Sequence, residues 1–130
     1  MTEPMPAGPL PSISDPDFTA QTVMDGRSLR VGMRGTADLN TQKALEVFLA
    51  NVHACAIVRG ATTVVMDMRD LEFMNSSCLK RMVNWIFVAR AEPTESRYQI
   101  VLVPQPKALW QKRSLQALSL MAPELVSVTS

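Results

Sequence analysis

Ordered patterning of apolar and polar positions starts at Phe18. Phe18 to Met24 alternates and predicts a strand. Asp25-Gly26 follows, a dipeptide suited to the positive backbone angles of a tight hairpin. Ser28 to Gly35 then predicts a second strand, with Leu29, Val31 and Met33 on one face and Arg30 and Arg34 on the other. Gly35 to Asn40 reads as a polar loop. Asn40 or Thr41 can cap the next helix, because a short side-chain oxygen accepts from free backbone N–H groups. That helix runs to about Arg59, with Leu45, Leu49, Val52 and Ala56 on one apolar face and Gly60 as its stop.

Thr62 to Met68 is β-branched and apolar, the pattern of a strand covered on both faces. A second helix is predicted from about Ser76 to Ala91, lined inside by Leu79, Met82, Val83, Ile86 and Phe87 and ended by Glu92-Pro93. Tyr98 to Val103 predicts another buried strand, and Pro104 and Pro106 bound a loop. Leu109 to Met121 predicts a last helix with Trp110, Ser114, Ala117 and Met121 along one stripe and Leu115 and Leu118 beside it. Val126 to Val128 predicts a short closing strand. Helices crossing between strands indicate an α/β layered fold. Residues 1–17 carry Pro4, Pro6, Pro9, Pro11 and Pro16 and predict a flexible N-terminal segment ahead of one domain over 18–130.

Composition narrows the function. A chain of 130 residues holds one ordinary domain, and 47% hydrophobic content supplies a core, which excludes a fully disordered chain. Thirteen basic residues against 12 acidic leave a net charge of +1, without the concentrated basic face that nucleic acid or an anionic membrane surface requires. No apolar run nears the roughly 20 residues of a spanning helix. The N-terminus has neither a basic start nor an apolar stretch, so no signal peptide is predicted and a cytoplasmic location is expected. Cys55 and Cys78 read as small buried hydrophobes. With a single histidine they do not make a zinc site, and no cofactor is expected. His53 reads as a plain helix residue. No Gly-x-Ser-x-Gly elbow and no glycine-rich phosphate loop is present, so an enzyme is not expected.

The segment Val64-Val65-Met66-Asp67-Met68-Arg69-Asp70-Leu71-Glu72-Phe73-Met74-Asn75-Ser76-Ser77-Cys78-Leu79 resembles a STAS domain. That family has an apolar strand ending in Asp, a short loop with an apolar pair, and Asp-Ser-Ser-Gly opening a helix. Gly35-Thr36-Ala37-Asp38 is similar to the family's Gly-x-x-Asp element after the second strand. The order of elements matches over roughly residues 18 to 128. The resemblance implies a STAS-like layered fold, a mixed four- to five-stranded sheet with three to four helices. It also implies an anti-sigma-factor antagonist. In that group the first serine of the tetrad is phosphorylated by a partner kinase that is itself the anti-sigma factor. The unmodified antagonist binds the kinase and frees the sigma factor, and phosphorylation releases it. The acceptor is then Ser76, with Ser77 the neighbouring candidate. Asp38, Asn75, Ser76, Ser77 and Cys78 form the partner-binding loop. Partners implied are an anti-sigma factor or related serine kinase, a phosphatase, and a second copy in a homodimer. ATP and magnesium belong to the kinase. Asn75 and Cys78 stand where the family has Asp and Gly, and these departures favour the other reading, a STAS adaptor or oligomerising scaffold subunit without phosphorylation.

The physics of the loop stands apart from the resemblance. A helix start offers unpaired N–H groups and partial positive charge, so a phosphate on Ser76 is tolerated there. It would bring about two negative charges to a protruding surface. Asn, Ser and Ser are equally the ordinary residues that start a helix. Asp67, at a strand end, reads as a carboxylate bonding loop backbone. Trp110 to Arg113 opens either a packing helix with a basic outer face or a docking patch.

Overall fold

The computed structural model describes residues 10–129. Its elements are β1 (Ser12–Ser14), β2 (Phe18–Asp25), β3 (Ser28–Ala37), α1 (Gln42–Val58), β4 (Thr63–Met74), α2 (Ser76–Arg90), β5 (Gln99–Val103), α3 (Leu109–Met121) and β6 (Val126–Val128). The six strands form one sheet in the order β1-β2-β3-β4-β5-β6. β1, β2 and β3 pair antiparallel, whereas β3 through β6 pair parallel. Each parallel step is bridged by one helix and advances in the same direction. Right-handed crossovers therefore lay all three helices on one face. A single core lies between: Leu29, Val31, Met33, Val64, Met66, Ile100 and Leu102 from the sheet meet Leu45, Leu49, Val52, Met82, Ile86, Leu115 and Leu118 from the helices.

The layered α/β class agrees with the sequence, and the sheet is larger than the four to five strands expected. Part of the expected N-terminal segment is a strand: Ile13 is buried against the core, and Thr22 Oγ1 donates to the Pro11 carbonyl at 2.7 Å. Residues 1–9 of that segment lie outside the described residues. Asp25-Gly26 makes the hairpin turn between β2 and β3, with Gly26 at φ +63°.

β4 differs most from expectation. It does not stop near Met68 but runs on to Met74 beside β3. Its register against β3 shifts twice, between Gly32 and Arg34 and between Gly35 and Thr36, each time with an extra residue on β4. These bulges bend the strand past the end of β5, whose pairing stops at Asp67–Val103. Beyond that point the free edge of β4 is satisfied by side chains. Gln111 Nε2 donates to the carbonyls of Met68 (2.8 Å) and Leu71 (3.0 Å). Gln105 Nε2 donates to Arg69 O (3.2 Å), and Trp110 Nε1 to Glu72 O (3.0 Å). The inner face of α3 is accordingly Gln111, Leu115 and Leu118, a rotation from the predicted Trp110–Met121 stripe. On α2, Trp85 is buried and the predicted core residue Phe87 is exposed.

Candidate functional site

β3 and β4 end side by side at the carboxyl edge of the sheet, with Ala37 opposite Met74. The next residues, Asp38 and Asn75, are therefore neighbours 37 positions apart in sequence. The Asn75 N–H donates to the Ala37 carbonyl at 2.9 Å, which fixes the point where β4 gives way to α2. Asn75 is the N-cap of α2: its backbone is extended, and its Oδ1 accepts from the Cys78 N–H at 2.9 Å. The first intrahelical bond runs from Leu79 N to Asn75 O.

Ser76 and Ser77 occupy the first two helical positions. Ser76 is exposed and Ser77 is partly covered. The Ser76 hydroxyl has no hydrogen-bond partner among the described residues. Cys78 points inward and is fully buried, and its thiol donates to the Asp38 carbonyl at 3.3 Å. Burial pushes the Cys78 thiol up from its ordinary value; the Asp38 charge adds to this and Arg81 opposes it.

Asp38 shapes the adjoining loop. Its Oδ1 accepts from Asn40 N (2.9 Å) and from Thr41 Oγ1 (3.2 Å), while its own N–H donates to Thr41 Oγ1 at 3.2 Å. Thr41 precedes α1 but spends its hydroxyl on Asp38 rather than on a helical N–H. Arg81, one turn into α2, ties the two helices by donating to Gln42 Oε1 at 3.2 Å. The five residues Asp38, Asn75, Ser76, Ser77 and Cys78 thus form one cluster at the strand ends.

Apolar side chains flank this cluster. Leu39 is 64% exposed and Phe73 47% exposed. Phe73 tilts against Trp110 with ring centroids 6.0 Å apart. Lys112 and Arg113 are exposed on α3. Asp67 lies outside the cluster. Its Oδ1 accepts from the backbone N–H of Arg69 at 3.1 Å, and the Arg69 guanidinium meets both its carboxylate oxygens. The hydrogen bond from the Arg69 side chain holds the Asp67 carboxyl below its ordinary value, against a smaller opposing effect of burial.

His53 is not the plain helix residue expected from the sequence. Nδ1 lies 2.7 Å from the Tyr98 hydroxyl, and Nε2 lies 2.9 Å from Glu92 Oε2. With both ring nitrogens engaged, His53 offers no base to Ser76. Among the described residues no cluster of His, Cys, Asp and Glu could hold a metal ion, and no helix is long and apolar enough to cross a membrane.

No protein-family model matches the chain, and no curated protein matches it in sequence. Solved structures do match. An anti-sigma factor antagonist from Mycobacterium paratuberculosis superposes with a TM-score of 0.62 at 22% identity, over 85% of this chain and 88% of that one. The Bacillus cell fate determinant SpoIIAA in its phosphorylated form gives 0.56 at 18% identity, over 85% and 91%. The anti-sigma factor antagonist SpoIIAA in its unphosphorylated form gives 0.53 at 23% identity, over 85% and 88%. The likeness is one of fold, and the fold is STAS-like.

Proposed function

We propose that this chain is a regulatory protein-binding module that works as an anti-sigma-factor antagonist, switched by phosphorylation of Ser76. The observation that carries the reading is the state of Ser76. It is an exposed hydroxyl at the first position of a 15-residue helix, with the loop behind it held by the Asn75 cap and by the Cys78–Asp38 bond. A kinase can reach it without unfolding anything. Ser77 is the poorer acceptor because it is partly covered.

The partner would be an anti-sigma factor or related serine kinase, meeting the chain at Asp38, Asn75, Ser76 and Ser77 with Leu39 and Phe73 as apolar neighbours. Cys78 supports that surface from beneath. Phosphate on Ser76 would face the positive end of α2, so the fold tolerates it. The cost falls on the complex, where about two added charges meet a surface fitted to a neutral hydroxyl. The fold shared with SpoIIAA, a protein solved in phosphorylated and unphosphorylated forms, supports this reading.

The test is capture of partners from the native cells by tagged parent, Ser76→Ala and Ser76→Asp proteins, with mass spectrometry of the Ser76 peptide. A kinase-like protein held by the alanine form and lost from the aspartate form, with phosphate on Ser76 of the parent, is the expected result. Identical partners for all three forms and an unmodified Ser76 would sink the switch and leave the adaptor reading.

A further inference from the structure

Behind α2, on the side away from the serines, four side chains from four parts of the fold form one hydrogen-bonded line. Trp85 of α2 donates its indole N–H to the Tyr98 hydroxyl oxygen at 3.0 Å. Tyr98, at the start of β5, lies 2.7 Å from Nδ1 of His53 on α1. Nε2 of His53 lies 2.9 Å from Oε2 of Glu92, in the turn after α2. Tyr98 is fully buried and Trp85 is 3% exposed. The indole can only donate and the carboxylate can only accept. With a neutral His53 ring, the carboxylate end takes the ring's one N–H, leaves Nδ1 an acceptor and so sets the direction of every bond in the line. The Tyr98 oxygen accepts from Trp85 and its O–H donates to His53 Nδ1. The ring proton must then sit on Nε2, facing Glu92.

We propose that this line is a proton-operated latch on the rear of α2, closed when His53 is neutral with its proton on Nε2 and opened when solvent delivers a proton to Nδ1. A protonated ring is a donor at both nitrogens. Nδ1–H then points at the Tyr98 oxygen, the Tyr98 O–H must turn away, and no other acceptor among the described residues bonds it. The bond between α1 and β5 reverses and leaves a buried donor unmet.

The charged groups around the ring are few. Glu92 meets it directly from the turn, and the Glu92 carbonyl is itself held by the Arg97 guanidinium at 3.2 Å. Across the groove between α1 and α2, which has a volume of about 250 Å³, His53 shares the wall with Arg81 and Glu46. The latch does not depend on phosphorylation of Ser76.

The test uses the full chain labelled with ¹⁵N. Long-range nitrogen–proton spectra of the His53 ring are followed from about pH 8 to about pH 5, the span in which histidine changes charge. Exchange of the Trp85 indole N–H and of the last two turns of α2 is measured alongside, corrected for the intrinsic pH dependence of exchange. The expected result is a proton on Nε2 and none on Nδ1 at the upper end. A step of about tenfold faster exchange, the equivalent of one lost buried hydrogen bond, should share the midpoint of the ring. In Tyr98→Phe that step should vanish. A neutral ring protonated on Nδ1, or exchange with no step at the midpoint of the ring, overturns the latch. The parent protein decides both points even if Tyr98→Phe does not fold.

Discussion

Gln111 is the side chain whose loss should be felt most for its size. It is fully buried on α3 and makes three bonds. Its amide nitrogen donates to Met68 O and Leu71 O, and its oxygen accepts from Gln105 N at 2.7 Å. Gln111→Met keeps the volume and removes every one of these bonds. Two β4 carbonyls that outrun β5 then lose their donor, and one loop N–H loses its acceptor. Taking about 1 kcal/mol for each lost bond, with the two carbonyls in a site water cannot easily reach, the cost is about 3–4 kcal/mol. That is a large share of the roughly 5–15 kcal/mol that holds a domain together. Urea unfolding of both proteins measures it. The midpoint should fall while the slope stays unchanged, since the same surface is exposed on unfolding. A loss under about 1 kcal/mol would show that the bulged edge of β4 is satisfied some other way, and would refute the account of how α3 holds the strand that leads to Ser76.

Two further effects can be checked with the same assay. Asn75→Ala removes the acceptor for Cys78 N and should cost about 1 kcal/mol, whereas Ser76→Ala, at an exposed and unbonded hydroxyl, should stay within about 0.5 kcal/mol of the parent. Stability should also fall in alkali. Burial raises the Tyr98 phenol well above its ordinary 10.0, opposed by the Trp85 bond and helped by the Glu92 charge, and burial likewise raises the Cys78 thiol above 9.0. The folded chain keeps these protons when the unfolded chain has lost them, so the contribution is complete below about pH 9 and shrinks as pH rises. Tyr98 alone should remove about 1 kcal/mol between about pH 8 and about pH 10.5, and an unchanged urea midpoint across that span would contradict its burial.

The sequence made the long periodic elements legible. α1 and its inner residues Leu45, Leu49, Val52 and Ala56 lie where their spacing put them, because a helix with one wet face writes its period into the chain. What could not be read has a common physical cause: order supplied by residues far away. β1 is three residues long with only Ile13 buried, too short for any period. The end of β4, Arg69 to Met74, looks like a loop because its edge is satisfied by Gln105, Trp110 and Gln111 rather than by a strand. Gln111 reads as a surface residue because nothing local shows that Met68 and Leu71 carbonyls await it. His53 has its partners 39 and 45 positions away. At the site, the capping role of Asn75 was open to sequence reasoning, since Asn before a helix has that local use. The thiol bond from Cys78 to Asp38 was not, because it depends on two strand ends meeting.

The two departures from the Asp-Ser-Ser-Gly pattern act on different sides of the loop. Cys78 turns fully inward, so it adds nothing to the outer surface and instead braces Asp38. Asn75 bears on charge. An aspartate there would keep the cap and add a negative charge at the positive end of α2, a gain of about 0.3–1 kcal/mol for the unmodified protein. With phosphate on Ser76 the sign changes. Two like charges about 5 Å apart cost about 0.8 kcal/mol in water, and a phosphate carrying nearly two charges about doubles that. Asn75→Asp should therefore stabilise the unmodified chain and destabilise the form carrying phosphoserine at 76, each relative to its own parent, by about 1 kcal/mol in opposite directions. Urea midpoints of the four proteins at low salt decide it. Shifts of the same sign in both forms would mean that residue 75 acts on the helix alone and does not sense a phosphate at 76.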